Sequence, residues 1–247
     1  MRQDQRIVAI VQARTGSTRL PRKVLMEIAG QPMLTWVIRR LQRAKRLHEV
    51  IVATTMAPAD EAIINECKHL GVPAFRGDEE DVLDRYVQAA ATHQAGVVVR
   101  VTSDCPLIDP GVVDHIVGAF LDEGPDYASN TIMRTYPRGL DVEVMTGAAL
   151  ARAGREATKP YQRAHVTPYL YQHPDLFRLL SITADADYSR FRWTVDTLED
   201  LSFVRAIVDR FHPGNTWAWR DVVRLVTEDP TLAALNSCVR QKMLQEG

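Results

Sequence analysis

Short apolar runs separated by longer amphipathic stretches dominate the first half of the chain. The runs at 7–11, 50–53 and 97–101 are rich in valine and isoleucine and too short for helices, so they predict β-strands. The first run is wholly apolar, as expected of a strand buried on both faces of a sheet. Shorter strands are predicted at 73–75 and 126–129.

The amphipathic stretches between these runs predict helices. In the first of them, Leu34, Val37 and Leu41 recur at helical spacing, and Pro32 suits the first helical turn. Further helices are predicted at about 60–69, 82–91, 109–123, 147–157, 201–211, 217–226 and 230–245. Strands and helices that alternate at this spacing predict right-handed βαβ units on a mostly parallel sheet.

The alternation of strands and helices breaks down over residues 130–174. Apolar and polar residues alternate one by one within 136–145, which predicts a strand with one polar face, and a further strand is expected at 191–195. We therefore interpret the chain as a single domain over 1–247, with 130–174 as an insertion and 212–247 as a C-terminal helical extension.

The composition is that of an ordinary globular protein, with 46% hydrophobic and 25% charged residues. A net charge of −1 argues against general nucleic-acid binding, which favours a strongly basic surface. No apolar run approaches 18 residues and the first six residues are polar, so neither a membrane span nor a signal peptide is expected. The three cysteines, Cys67, Cys105 and Cys238, lack metal-binding spacing and are odd in number, which favours a reducing cytoplasm.

Small and hydrogen-bonding residues follow the first strand directly, in the segment 12–23 (QARTGSTRLPRK). A Gly/Ser/Thr loop that leaves a parallel strand can point several backbone N–H groups at one anion. Arg14, Arg19 and Lys23 add positive charge to such a loop. We interpret the segment as a triphosphate-binding loop, because three cations within ten residues flank its Thr-Gly-Ser-Thr core; the alternative is a solvated basic loop. Neither G-x-x-x-x-G-K-[ST] nor G-x-G-x-x-G is present, so a P-loop NTPase and a dinucleotide-binding dehydrogenase are not supported.

Two aspartates follow predicted strands. Asp104 comes after the strand at 97–101, where ligands bind in open α/β sheets, and its carboxylate suits either Mg²⁺ or a helix cap. Thr197 and Asp200 have the spacing of a capping box, which leaves Asp196 without a local structural role. Cys105 has no recognisable activating base, so packing is favoured over a role as nucleophile.

Residues 11–23, VQARTGSTRLPRK, resemble the A-R-x-x-S-x-R-L-P-x-K signature of sugar-nucleotide cytidylyltransferases, which include the CMP-Kdo and CMP-acylneuraminate synthetases. The stretches P-R-G-L-D-V-E at 137–143 and R-A-H-V-T-P at 163–168 resemble the spore-coat-polysaccharide branch of that group. The similarity extends over about the first 205 residues. It implies a three-layer α/β/α fold of the nucleotide-diphospho-sugar transferase type, with a Rossmann-like, mostly parallel sheet and an inserted arm.

The resemblance also implies a reaction, in which a sugar-acid hydroxyl attacks the α-phosphorus of CTP and releases pyrophosphate. The implied catalytic residues are Arg14, Lys23, Asp104 and Asp196, and the two aspartates correspond to the metal carboxylates in D-x-P-L and V-D-T-x-E-D-L, with Mg²⁺ as the cofactor. The nucleotide-binding candidates are Ala13, Arg14, Gly16, Ser17, Arg19 and Lys23, with looser base contacts at Gly77 and Arg85.

The segment 130–174 is expected to line the acceptor pocket and to supply a contact in a homodimer. Its candidate acceptor-binding residues are Arg138, Asp141, Glu143, Arg163 and His165; the alternative for these five is an exposed strand face and an ordinary helix. The product would serve surface-polysaccharide biosynthesis in the cytoplasm.

Three other functions are weighed against this one. A glycosyltransferase of the related fold would usually carry D-x-D at 104–106, where this chain reads Asp-Cys-Pro. A non-catalytic nucleotide-binding subunit is disfavoured, because Lys23, Asp104 and Asp196 are all present. Specificity for UTP or dTTP in place of CTP is the nearest rival, since the choice of pyrimidine depends on a few backbone contacts.

Overall fold

The computed structural model describes residues 5–211 and 216–241. Its strands are β1 (Ile7–Gln12), β2 (Glu27–Ile28), β3 (Gln31–Pro32), β4 (Glu49–Thr55), β5 (Ala74–Gly77), β6 (Val97–Thr102), β7 (Tyr127–Ser129), β8 (Glu143–Thr146) and β9 (Leu179–Ser181). Strands β2 and β3 form a small hairpin, and the other seven form one sheet in the order β5-β4-β1-β6-β8-β7-β9. Within that sheet, β8 is antiparallel to both of its neighbours, and the remaining pairs are parallel.

Helices cover both faces of the sheet. They are α1 (Met33–Leu41), α2 (Glu61–Leu70), α3 (Val82–Thr92), α4 (Pro110–Glu123), α5 (Gly147–Glu156), α6 (Pro160–His165), α7 (Pro168–Tyr171), α8 (Leu198–Phe211), α9 (Trp219–Glu228) and α10 (Pro230–Ala234). One apolar core packs α1, α2, α4, α8, α9 and α10 against the sheet, and a second packs α3, α5 and α7 against the opposite face.

The first strand shows why both faces are covered. Ala9 and Val11 belong to one core, whereas Val8 and Ile10 belong to the other, and all four are fully buried. Because successive side chains of a strand point to opposite faces, a run without polar residues requires an apolar layer on each side. The predicted three-layer α/β/α fold with a mostly parallel sheet is therefore confirmed.

The strand predicted at 136–145 is wrong for its first part, since only β8 pairs with other strands. A turn interrupts it, in which the Leu140 N–H donates to the carbonyl of Pro137 at 3.1 Å. Beyond the turn, the Asn130 side chain replaces a partner strand: its amide donates to Leu140 O at 2.7 Å, and its carbonyl accepts from Val142 N–H at 2.9 Å.

The strand predicted at 191–195 is also wrong, because this segment shares its hydrogen bonds between two different loops. Phe191 O accepts from Arg138 N–H at 3.0 Å, and Trp193 N–H donates to Arg138 O at 2.7 Å. Val195 N–H instead donates to Asp104 O at 2.8 Å. The segment is therefore extended but forms only one isolated β-bridge within the described residues, between Arg138 and Arg192.

The inserted segment lies partly inside the sheet. From 130–174, β8 fills the position between β6 and β7, while α5 and α7 pack on one face. In the C-terminal extension, α9 and α10 are helical, but 235–241 is not, and the predicted helical residues 242–245 lie outside the described part. Among the described residues, no helix is long and apolar enough to cross a membrane.

Candidate active site

Asp60, which is 1% exposed, anchors the loop that follows β1. One oxygen of this carboxylate accepts from the Thr15 N–H at 2.8 Å and from the Thr15 hydroxyl at 2.6 Å. The other accepts from the hydroxyls of Thr54 and Thr55 at the end of β4. Burial alone would raise the pKa of Asp60, but these hydrogen bonds outweigh it and lower the pKa. Asp60 was not among the predicted site residues, because nothing in its local sequence distinguishes it from an ordinary turn aspartate.

The same loop offers several N–H groups to a ligand. Within the described residues, the backbone N–H groups of Arg14, Gly16 and Thr18 have no hydrogen-bond partner. The Ser17 N–H is not open, because it donates to the Thr15 carbonyl oxygen at 2.9 Å. Predicted residues Ala13, Arg14, Gly16, Ser17 and Arg19 therefore lie in one anchored loop with a partly open row of donors. Such a row, flanked by arginines, suits a polyphosphate.

Glu79 lies over this loop. Its carboxylate is 3.7 Å from the Arg14 guanidinium, and a Cβ added to Gly16 would come within 3.2 Å of it. The nearby Arg85 is 2% exposed and donates to Asp78 O at 2.7 Å, while its Nε has no partner within the described part of the chain. Burial lowers the pKa of Arg85. The two residues predicted to contact the base are in contact, since a Cβ on Gly77 would lie 3.0 Å from Arg85 Cγ.

Lys23 joins the two aspartates that the sequence placed at strand ends. Its ammonium donates to Asp104 Oδ2 at 2.8 Å, to Asp196 Oδ1 at 2.9 Å and to the Val195 carbonyl at 2.8 Å. Burial alone would lower the pKa of Lys23, but the two carboxylates outweigh it and raise the pKa. The convergence of Asp104 and Asp196 on one edge of the sheet is thus present, and the Lys23 ammonium lies between them.

Asp196 is surrounded by cations. Besides Lys23, Arg19 lies 2.9 Å from Oδ1 and Arg192 lies 2.8 Å from Oδ2. Burial alone would raise the pKa of Asp196, but Lys23 above all lowers it, to about 2. Arg192 also binds Asp200, so one guanidinium holds both carboxylates in place. Arg192 was missed because it lies in a segment predicted as a plain strand.

The capping box predicted at the start of α8 is present. Asp200 N–H donates to the Thr197 hydroxyl at 3.3 Å, and Thr197 N–H donates to Asp200 Oδ2 at 3.2 Å. Asp200 Oδ2 also accepts from Asp196 N–H at 2.9 Å. The helix start therefore fixes the backbone of the neighbouring site aspartate. The thiol of Cys105, beside the other aspartate, is buried, and burial raises its pKa well above the ordinary value, as expected of a packed residue.

The chemistry of this pair fits a hard cation. Asp104 and Asp196 offer carboxylate oxygens alone, and Mg²⁺ is held in proteins by one or two carboxylates completed by water and phosphate oxygens. Within the described residues, no group of three or more His, Cys, Asp and Glu side chains could hold a metal by itself. The pair therefore fits a metal that arrives with a phosphate ligand and not a closed protein site.

A cavity of about 600 Å³ adjoins the carboxylate pair through two of its lining residues, since Arg19 pairs with Asp196 and the Thr102 hydroxyl donates to Asp104. Four of the five predicted acceptor residues line it, namely Arg138, Asp141, Glu143 and His165. Arg163 does not, since its guanidinium binds Asp81 at 2.6 Å and the carbonyls of Gly154 and Ala157. Arg163 thus joins the end of α5 to the start of α3 and, unlike the other four predicted acceptor residues, does not line this cavity.

Most charges in this cavity are neutralised by the protein itself. Glu143 pairs with Arg100 across the β6–β8 ladder, and its Oε1 accepts from the hydroxyls of Tyr127 and Thr167, both at 2.6 Å. The sequence analysis did not identify Arg100. Its position in a strand of valines could have revealed it, because a charged side chain in a buried strand requires a partner.

Arg138 differs from the other arginines of the cavity. Arg134 forms a two-pronged pair with Asp141, at 2.6 and 2.8 Å. The Arg138 guanidinium, half-buried, has neither an ion pair nor a hydrogen bond within the described residues. Burial first, and then the charge of Arg134, lower the pKa of Arg138. Among the described arginines that line the cavity, Arg138 is therefore the one available to an anionic ligand.

A three-layer α/β/α fold with a basic loop after β1 and two carboxylates at the same edge of its mostly parallel sheet has the architecture of a nucleotide-binding protein. The sequence identifies a narrower class than the fold does. The model of the cytidylyltransferase family matches residues 8–210, so the chain belongs to that family of nucleotidyltransferases. 

Three relatives span most of this chain. It is 38% identical over 245 residues to the uncharacterized protein MJ1063 of Methanocaldococcus jannaschii, covering 98% of each. It is 31% identical over 234 residues to the spore coat polysaccharide biosynthesis protein SpsF of Bacillus subtilis, covering 92% of this chain and 96% of that one. It is also 31% identical over 195 residues to a 3-deoxy-manno-octulosonate cytidylyltransferase of Acidobacterium capsulatum, covering 71% and 76%.

Two solved structures share the architecture. A cytidylyltransferase from Leptospira borgpetersenii has a TM-score of 0.90 at 30% identity, covering 97% of this chain and 99% of that one. A CMP:2-keto-3-deoxy-manno-octonic acid synthetase complexed with CTP has a TM-score of 0.62 at 20% identity, covering 83% and 99%. The second likeness concerns the fold alone.

Proposed function

We propose that this protein transfers a cytidylyl group from CTP to a hydroxyl of a sugar acid, forming a CMP-sugar and pyrophosphate. The observation that carries the proposal is the unpaired Arg138 in a cavity that adjoins the Asp104–Asp196 pair. A half-buried guanidinium without a partner is a receptor for a carboxylate, which it can bind with two parallel hydrogen bonds. The names of the relatives that act on 3-deoxy-manno-octulosonate support the same class of acceptor.

The triphosphate of CTP would lie on the loop after β1. The open N–H groups of Arg14, Gly16 and Thr18 would bind phosphate oxygens, and Ala13 and Ser17 would shape that surface. Arg14 and Arg19 supply positive charge where pyrophosphate departs. Gly77 and Arg85 lie on the neighbouring strand end and helix, where they would contact the cytosine.

The reaction needs position and charge more than covalent chemistry from the protein. The acceptor hydroxyl oxygen attacks the α-phosphorus and gives its proton to solvent water. The bond from the α-phosphorus to the bridging oxygen of the β-phosphate breaks, and its electron pair leaves with pyrophosphate. Asp104 and Asp196 would hold Mg²⁺, which when bound offsets phosphate charge and makes the hydroxyl more acidic. Arg138 would hold the acceptor so that its hydroxyl faces the α-phosphate.

Pyrophosphate release tests this function directly. The protein would be incubated with each of the four ribonucleoside triphosphates and with dTTP, against a panel of sugar acids and their neutral analogues. We expect release with CTP, dependent on Mg²⁺ and on an acceptor carboxylate. Equal rates with UTP or dTTP would contradict the choice of nucleotide, and equal rates with a neutral acceptor would contradict the role of Arg138.

We propose that the CMP-sugar serves surface-polysaccharide biosynthesis, which the name of the SpsF relative supports. We also propose that the enzyme acts in the cytoplasm as a homodimer. Light scattering on the purified protein measures the last point, since a monomer has a mass of 27.8 kDa.

A further inference from the structure

The Lys23 ammonium uses its full hydrogen-bonding capacity inside the protein. It has three N–H donors, and three acceptors lie at 2.8 to 2.9 Å: Asp104 Oδ2, Val195 O and Asp196 Oδ1. The residue is only 9% exposed. Lys23 in this state therefore has no donor left for a phosphate.

The ammonium also occupies the position that a cation shared by the two aspartates would take. The remaining carboxylate oxygens have protein donors of their own. Asp104 Oδ1 accepts from the Thr102 hydroxyl at 2.6 Å, and Asp196 Oδ2 accepts from Arg192 at 2.8 Å. A divalent ion that approached the pair would meet Lys23 at the shared position, where like charges a few ångströms apart repel strongly in a partly buried site.

We propose that Lys23 and a divalent cation compete for the Asp104–Asp196 pair, so that the cation binds tightly only when a nucleotide triphosphate draws the ammonium away. This inference rests on the proposed function, because it takes the pair to be the metal site. Lys23 begins the turn Lys23–Leu25 directly after the phosphate-binding loop, and its four-carbon stem is flexible. Phosphate oxygens on that loop would offer the ammonium new acceptors and leave the carboxylates to the metal.

The competition has a consequence for the order of binding. Without nucleotide, the ammonium neutralises the pair and the metal binds weakly. With nucleotide bound, the Lys23 ammonium contacts phosphate oxygens and the metal binds the carboxylate oxygens. The nucleotide and the metal therefore strengthen each other's binding by the same factor. A metal that is loaded only together with its nucleotide cannot be retained by the empty enzyme.

Binding of Mn²⁺ to the nucleotide-free protein tests the competition without any turnover. Electron paramagnetic resonance of free Mn²⁺ would be titrated with wild type, Lys23→Met and Lys23→Gln, with folding checked by circular dichroism and thermal melting. We expect both variants to bind Mn²⁺ at least tenfold more tightly than wild type. Lys23→Gln keeps an uncharged donor near the carboxylates, so it serves if Lys23→Met does not fold.

Two controls locate the effect. Arg22→Met removes the exposed neighbouring charge and should leave the Mn²⁺ affinity unchanged. The double variant Lys23→Gln with Asp104→Asn should lose the gain, because the ion would lack one of its carboxylates. A gain that persists in the double variant would place the ion elsewhere and overturn the proposal.

The outcomes separate this inference from the proposed function. If the Lys23 variants bind Mn²⁺ no more tightly than wild type while wild type releases pyrophosphate from CTP, the competition is refuted and the function stands. If wild type releases pyrophosphate from no nucleotide, the function is refuted, yet a tenfold gain that needs Asp104 would still support competition at the carboxylate pair.

Discussion

Arg134 and Arg138 lie four residues apart in one cavity, but their neighbours give them different roles. Arg134 is held by both oxygens of Asp141, whereas Arg138 has no partner among the described residues. At the scale of the residue, therefore, the number of bonds already made decides which side chain can bind a ligand. The same reasoning makes Glu143 a support for Arg100, since both of its oxygens are used within the protein.

Replacement of Arg138 should affect the acceptor selectively. Arg138→Met removes charge-assisted hydrogen bonding of roughly 2–3 kcal/mol, so we expect the acceptor KM to rise by about 30- to 150-fold with little change in the KM for CTP. Steady-state kinetics with each substrate varied in turn measure this. Arg138→Lys keeps the charge without the two-pronged geometry, so its acceptor KM should lie between those of wild type and Arg138→Met. An unchanged acceptor KM in Arg138→Met would remove this residue from the pocket.

Each site aspartate should be indispensable for turnover. Asp104→Asn and Asp196→Asn keep the shape of the side chain but lose the negative charge that attracts a metal, so we expect activity to be abolished with the fold retained by circular dichroism. The measurement is kcat across a Mg²⁺ titration. Near-normal activity in either variant would show that its carboxylate does not bind the metal.

At the scale of the element, the start of α8 connects stability to the site. Asp200 is fully buried, closes the capping box, and shares Arg192 with Asp196. A capping box alone is worth about 1 kcal/mol. The structure adds a buried ion pair to the cap, because Asp200 also accepts from Arg192 Nε and Nη2, both at 2.9 Å, and loss of its charge would leave these buried donors poorly satisfied.

Asp200→Asn should therefore destabilise the protein by about 3 kcal/mol, more than a lost cap would cost. Urea denaturation followed by circular dichroism measures the free energy of unfolding. Glu199→Gln is the matched control, because Glu199 lies in the same helical turn but is exposed, and a change within about 0.5 kcal/mol is expected there. Equal losses in the two variants would contradict the role given to the ion pair.

The turn that carries Arg138 depends on the glycine after it. Gly139 has φ of +105°, and a Cβ there would lie 2.6 Å from the backbone nitrogen of Thr194. Gly139→Ala should therefore cost about 2 kcal/mol or more, from strain together with the clash. Gly124→Ala, where φ is +65° and nothing lies within 4 Å of the added Cβ, should cost about 1 kcal/mol. Thermal melting of both variants compares them, and a milder effect at Gly139 would be contrary to the close approach.

At the scale of the whole molecule, the carboxylate that anchors the loop after β1 makes stability depend on pH in the acid range. The pKa of Asp60 is lower in the fold than its ordinary value of 3.8. As pH decreases, the unfolded chain therefore protonates Asp60 before the native chain does. The free energy of unfolding decreases as the pH is lowered through that range. The stabilisation from Asp60 is complete above about pH 4 and is lost as pH falls through the lower folded pKa.

Asp60→Asn should be less stable than wild type at pH 7 by about 1–3 kcal/mol, because buried donors lose a charged acceptor. The difference should shrink as pH falls below 4, where wild type protonates the same group. Urea denaturation at several pH values measures both curves, with the exposed Asp122→Asn as control. Parallel curves for wild type and Asp60→Asn down to pH 2 would show that this carboxylate does not titrate as described.

Local patterns predicted what local physics controls. Apolar runs located β1, β4 and β6, and the motif at 12–23 located the loop that Asp60 anchors. The strands predicted at 136–142 and 191–195 failed because their backbones bond to partners such as the Asn130 side chain, which no periodicity reveals. Arg163 and Asp60 show the same limit in side chains, since their partners lie 82 and 45 residues away in sequence.

The antiparallel strand β8 has a consequence for synthesis. It fills the gap between β6 and β7, yet it is made after both of them. Until residue 146 leaves the ribosome, the valine-rich edge of β6 has no partner on that side, and open edges of this kind pair readily with other chains. A transcript that stops before residue 143 should therefore yield aggregates and not a shorter enzyme, because the edge of β6 that β8 covers would stay open.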